Sequence, residues 1–166
     1  MPTDNSIEFY KAWCGCLPYL PEEDSAMNET GVWNYIKNGM ICTGWHTSRI
    51  ESSAGNGIPD VSFGIKGVSG WIELKYIAEW PKRTLTKVKL PLRPEQKHWI
   101  KARGELSGNV WVICRIEEYF FILTWEEALS AYDGWTHMEW LENSHYYWWK
   151  RIDFGGLYSQ LKGGCI

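Results

Sequence analysis

The stretch from Gly57 to Tyr76, GIPDVSFGIKGVSGWIELKY, leaves this chain few folding options. Val61 to Ile65 and Trp71 to Ile77 are rich in β-branched and aromatic residues, and the glycine-bearing residues Lys66 to Gly70 between them predict an antiparallel hairpin. Side chains alternate along a strand, so Trp71, Glu73 and Lys75 share one face and Ile72, Leu74 and Tyr76 the other. The apolar face is expected to bury against a helix. A carboxylate and an ammonium then stand side by side on the opposite face. Gly57 and Pro59 set a restricted entry to Asp60, which hairpin pairing brings close to that pair.

Further elements frame the hairpin. Asn28 or Thr30 is expected to cap a helix running to about Asn38, with Val32, Trp33, Tyr35 and Ile36 on its apolar side, Glu29 in its first turn and Gly39 as its stop. Residues 41–52 read as a strand, with Trp45, Thr47, Arg49 and Glu51 on one face and His46, Ser48 and Ile50 on the other. Pro81 to Pro91 shows no clear periodicity and is expected as a mobile loop. Pro94 at a first helical position opens a helix that Gly104 can end, with Gln96, Trp99, Ile100 and Arg103 on one face. Asn109 to Arg115 fits a buried central strand, Tyr119 to Leu123 another, and Thr124 caps a short helix to Ala131. This order predicts an α/β domain with one mixed central β-sheet flanked by helices.

At 166 residues the chain suits a single domain over 1–166. Its core is expected over about 28–123, with an N-terminal extension 1–27 and an aromatic-rich C-terminal tail 124–166. The tail could cover a sheet edge, make a dimer contact or stack on bases. Twelve Trp point either to core packing or to stacking surfaces. Five Cys is an odd count, and Cys14 and Cys16 are too close for easy bridging. With no secretory segment after Met1 and no apolar run of membrane-spanning length, reduced thiols and a cytoplasmic setting are expected, without a membrane partner. No Cys or His pair has zinc-site spacing.

The net charge of -3 hides an asymmetry. From Lys82 to Arg103 eight basic residues face the single acid Glu95, so this segment carries +7 and the remainder -10. A basic band beside an acidic site suits a polyanion-binding protein with a metal centre. Arg49, Lys82, Arg83, Lys87, Lys89, Arg93 and Lys97 are the candidate phosphate contacts. A solvated linker and helix face would show the same charges.

Asp60, Glu73 and the Leu74 backbone carbonyl offer hard oxygen ligands for Mg2+ or Mn2+. Such an ion orients water and neutralises charge on a phosphoryl transition state, and Lys75 beside it can hold the water or the scissile phosphate. Glu-x-Lys alone is more often a solvated surface pair. Pro-Asp, a glycine-bearing hairpin and Glu-x-Lys after an apolar run together are far more specific.

Asp60, Glu73 and Lys75 match the PD-(D/E)xK nuclease signature. The wider series is Glu29 in NETGVWNYIKNG, then SRIESSAGNGIPDV, WIELK and RPEQKHW. It resembles the virus-type replication-repair nuclease group (VRR-NUC), which includes phage Holliday-junction resolvase-like enzymes, over roughly residues 28 to 116. The resemblance implies a restriction-endonuclease-like core and a Mg2+- or Mn2+-dependent endodeoxyribonuclease. Glu29, Asp60 and Glu73 would stand at the metal, Lys75 would position water or phosphate, and Gln96 would line the site. Glu51 competes with Glu29 for the remaining place. The resemblance also implies a DNA partner, including flap or Holliday-junction DNA in phage replication, recombination or repair in a host cytoplasm, and a homodimer with paired sites. Two rivals stand beside it: a non-catalytic binding module on the same fold, which predicts a broken triad, and a restriction-type enzyme acting on duplex DNA.

Overall fold

The structure, a computed structural model, describes residues 28–50 and 57–163. Helix α1 (Glu29–Cys42) begins where the Asn28 side chain accepts a hydrogen bond from the Gly31 N–H at 2.9 Å, so of the two expected caps Asn28 is the one used. It runs through Gly39 to Cys42, which shortens the expected strand over 41–52 to β1 (His46–Arg49). Glu51 lies outside the described residues.

β2 (Val61–Ile65) and β3 (Val68–Ile77) form the expected hairpin, closed more tightly than predicted by Lys66 and Gly67, both at positive φ. There follow α2 (Pro94–Ser107), β4 (Val110–Ile116), β5 (Tyr119–Thr124), α3 (Trp125–Asp133), α4 (His137–Asn143), β6 (Tyr146–Trp149) and α5 (Phe154–Gly163). The six strands among the described residues lie side by side in chain order. Every neighbouring pair is antiparallel except β3 and β4, which are parallel. A parallel pair cannot be joined by a tight turn, so the chain crosses over between them through α2.

Each face of this mixed sheet carries its own buried cluster. On one face Val61, Phe63, Ile72 and Leu74 pack with Val32, Tyr35, Ile36 and Met40 of α1 and with Phe154, Leu157 and Leu161 of α5. On the other, Val110, Val112, Cys114 and Phe121 pack with Ile100 of α2, Ala128 and Ala131 of α3, and Trp140 of α4. The segment expected as a tail is therefore built into both clusters. The Tyr35 hydroxyl accepts from the Ile152 N–H at 2.9 Å, tying the segment just before α5 to α1. No helix among the described residues is long and apolar enough to cross a membrane.

Both glycines read as helix stops are contacts instead. A Cβ at Gly39 would overlap the Phe154 ring, and one at Gly104 the Trp125 indole. α2 ends later, at Ser107, with Gly108 as its left-handed cap. Alanine at position 104 would gain about 1 kcal/mol of helix propensity. The overlap with Trp125 is expected to outweigh it, leaving Gly104→Ala less stable by about 1–3 kcal/mol in urea unfolding. A more stable variant would refute the contact reading.

The stretch Pro81 to Pro91, expected to be mobile, is partly docked. Val88 and Leu90 within it, and Leu92 just after it, are buried. Val88 and Trp135 exchange backbone hydrogen bonds of 2.7 and 3.0 Å, and the Leu90 N–H donates to the Ala131 carbonyl at 2.9 Å. Its hidden period of two turns Lys87 and Lys89 outward while the apolar residues between them join the core.

Candidate active site

The register that pairs Val61 with Ile72 carries Asp60 opposite Glu73, just beyond the last pair of the β2–β3 ladder. β3 extends five residues past that pair, so its edge toward β2 has backbone groups to offer. The Leu74 N–H donates to Asp60 Oδ2 at 3.0 Å. The N–H and C=O of a strand residue point the same way, so the Leu74 carbonyl faces Asp60 as well. Asp60 is thus held by the end of the very strand that carries Glu73.

Glu73 is wholly buried and Lys75 is 7% exposed. Glu73 Oε1 takes the Lys75 ammonium at 2.7 Å and the Gln96 Nε2 at 2.5 Å. Glu73 Oε2 is buried and has no hydrogen-bond partner among the described residues. Burial, then repulsion from Asp60, drive the Glu73 carboxyl up to about 7; Lys75 opposes them by charge and hydrogen bond, and Glu29 adds a smaller push upward.

Gln96 is placed by helix-start chemistry. Its Oε1 accepts from the Arg93 N–H at 3.0 Å, one half of a capping arrangement at the start of α2. With the carbonyl end committed there, the amide end must face Glu73. Gly57 sets the spacing between α2 and the Asp60 approach: its φ is +85°, and a Cβ would overlap the Glu95 backbone. Behind the site Cys114, register partner of Lys75, is fully buried, and burial pushes its thiol up so that it stays protonated. In the sequence it is one more residue of the apolar run of β4; only the register with a strand distant in sequence brings it here.

The structure therefore brings Asp60, Glu73, Lys75 and Gln96 together. Glu29, exposed in the first turn of α1, reaches Glu73 through its charge. Lys82, Arg83, Lys87, Lys89 and Arg93 are exposed, and Arg93 adjoins the site through its bond to Gln96. Lys97 lies 4.3 Å from the centre of the Tyr132 ring. Arg49, paired with Val61, belongs to the opposite face, where it sits over Trp33. On the Glu73 face β1 and β2 carry His46, Ser48, Ser62 and Gly64, small or polar, and the buried cluster there draws on β3 to β5 rather than on these strands.

Among the described residues no group of three or more acidic, histidine or cysteine side chains closes on one point. The donors present still fit Mg2+ or Mn2+, which characteristically use one or two carboxylates and complete their shell with water and substrate oxygens. A buried carboxylate oxygen without a partner, a second carboxylate across the strand gap and a carbonyl on the same side form such a set. Most buried polar atoms have partners, so Glu73 Oε2 calls for one.

No protein-family model matches the chain, and no curated protein matches it. Among solved structures the chain is similar to Hjc, a Holliday junction resolvase from the archaeal hyperthermophile Archaeoglobus fulgidus. The identity is 15% and the TM-score 0.43, over 67% of this chain and 93% of that one.

Proposed function

We propose that this chain is a divalent-metal-dependent endonuclease that hydrolyses DNA phosphodiester bonds. The observation that carries the reading is Glu73: a wholly buried carboxylate, gripped on one oxygen by Lys75 and Gln96, with its other oxygen unpartnered among the described residues, and with Asp60 nearby. A fold rarely keeps such a group for stability, because burying charge costs more than the pair returns. Mg2+ or Mn2+ held by Asp60, Glu73 and the Leu74 carbonyl, with Glu29 contributing charge from farther out, would supply charge neutralisation at the phosphate and an activated water. Gln96 holds Glu73 in one orientation, and Lys75 presents a fixed positive charge to a phosphate oxygen or the attacking water. Exposed Lys82, Arg83, Lys87, Lys89 and Arg93 would steer and hold the backbone. Ser48, Ser62 and Gly64 on this face of β1 and β2 leave room for it.

A preference for flap or Holliday-junction DNA, in a phage setting, rests on the motif series from Glu29 to Gln96. The test offers linear, flap and four-way DNA with Mg2+ or Mn2+ to wild type and Asp60→Asn. Cutting strongest on branched substrates, and lost by at least about a thousandfold in the variant, is the expected result. Fixed fragments from long linear DNA would instead mark a restriction-type enzyme. Wild type that cuts none of them, or a variant that cuts equally well, would defeat the enzymatic reading.

A further inference from the structure

The described sheet ends on two unlike edges. β1 reads His-Thr-Ser-Arg, polar and charged, a composition that discourages further pairing. β6 reads Tyr-Tyr-Trp-Trp, without a charge, proline or glycine inside it. Tyr146, Tyr147 and Trp149 are 45%, 40% and 60% exposed. Natural edges seldom present such a strand to water, because it invites another strand.

The backbone of β6 shows which groups it offers. The Lys150 N–H donates to the Glu118 carbonyl at 2.6 Å, in the same register that pairs Trp149 with Tyr119. Backbone groups of successive strand residues alternate sides. Trp148 and Tyr146 therefore bond toward β5, while Tyr147 and Trp149 turn their N–H and C=O outward. The Arg151 N–H takes the Trp149 carbonyl at 2.8 Å. Among the described residues, what remains without a partner on the outer edge of β6 is the full donor and acceptor set of Tyr147 and the Trp149 N–H.

We propose that β6 pairs antiparallel with β6 of a second copy of this chain, about a two-fold axis through Tyr147. In that register the two Tyr147 residues exchange both backbone hydrogen bonds, and each Trp149 N–H meets the other copy's His145 carbonyl. Tyr146 of each copy faces Trp148 of the other, an aromatic pair of the kind that stabilises adjacent strands. The flanking charges agree with this polarity: Glu142 precedes the strand, and Lys150 and Arg151 follow it. Antiparallel pairing brings the acidic end of one copy beside the basic end of the other.

The product is one continuous sheet, and a two-fold axis normal to it keeps both Glu73 residues on the same face. They stand seven strand spacings apart, roughly 34 Å along the sheet. The pairing rests on the edge alone and would hold for a chain without nuclease activity.

Light scattering on the full-length protein after gel filtration tests the pairing. Wild type is expected at twice its 19.4 kDa mass. Tyr147→Pro removes an N–H that β5 does not use, and Trp149→Lys puts a charge on the edge; both are expected at the single mass with unchanged far-UV circular dichroism. If Tyr147→Pro fails to fold, Trp149→Lys alone decides. Wild type at the single mass up to its solubility limit, or a folded Trp149→Lys that stays at the double mass, overturns the proposal. Neither result bears on DNA cutting, which is read separately.

Discussion

Lys75→Ala is expected to lose DNA cleavage by at least about a thousandfold and, with metal chelated, to lose about 3 kcal/mol of stability at pH 8 but little at pH 5. The pH dependence comes from Glu73. In the folded protein its carboxyl is raised from 4.5 to about 7 by burial and by Asp60. Between those values the folded chain holds a proton that the unfolded chain has released, so the stability of metal-free wild type falls as pH rises through that window, by roughly 3 kcal/mol in all. At pH 8 Glu73 is ionised, and Lys75 at 2.7 Å is the cation that compensates it. Removing Lys75 leaves a buried carboxylate with only Gln96 on it. At pH 5 the carboxyl is protonated with or without Lys75, and the loss shrinks. Urea unfolding of both proteins in EDTA at the two pH values gives the comparison, and a loss of the same size at pH 5 and pH 8 would contradict this account. A double change, Glu73→Gln with Lys75→Met, removes both charges and is expected to be neutral or stabilising by about 1–4 kcal/mol while abolishing cleavage. Together the variants separate what the pair does for folding from what it does for chemistry.

Gly57→Ala is expected to cost about 3 kcal/mol or more and to impair cleavage although the residue carries no functional group. Two penalties coincide there. The backbone is left-handed at φ +85°, which disfavours any L side chain, and the new Cβ would overlap the Glu95 backbone. Relief requires the approach to Asp60 and the first turn of α2 to move apart. Gln96 lies in that turn, so its grip on Glu73 loosens as Asp60 shifts. Urea unfolding together with cleavage at saturating Mg2+ reads both effects. A fully active, fully stable variant would show that the close approach is not needed. Ser62→Ala, a small change on the same face farther along β2, is the control and should alter stability by less than about 0.5 kcal/mol.

Much of this architecture was legible in the residue order. The alternation of Val61 to Ile65 and of Trp71 to Ile77 identified both hairpin strands, and the continuous apolar run of NVWVICR identified the central strand β4, because each pattern is local. Thr124 is legible as a cap, and Asn28 as one of two candidates beside Thr30, because a capping bond spans only three residues. The less legible elements failed for a shared reason. Gly39 and Gly104 resemble helix stops, yet each is small to admit an aromatic ring from a distant segment, Phe154 in one case and Trp125 in the other. Lys and Pro obscured the period-two pattern of Val88, Leu90 and Leu92, which becomes meaningful only against Trp135 and Ala131. Arg49 looked like one more phosphate contact, but strand register turns it to the face opposite Glu73.

The sequence by itself determined that Glu73 and Lys75 share a face, that Asp60 enters through a restricted turn, and that Gln96 stands in the first turn of a helix. These follow from backbone periodicity and the local preferences of glycine and proline. Only the tertiary structure decided that the Glu73 carboxyl sits near 7, that one of its oxygens has no partner, that the Gln96 amide points at it, and that the YYWW strand stands at the edge of the sheet. Burial, charge and strand order are sums over groups far apart in the chain, and they acquire values only when the sheet and its helices have closed around them.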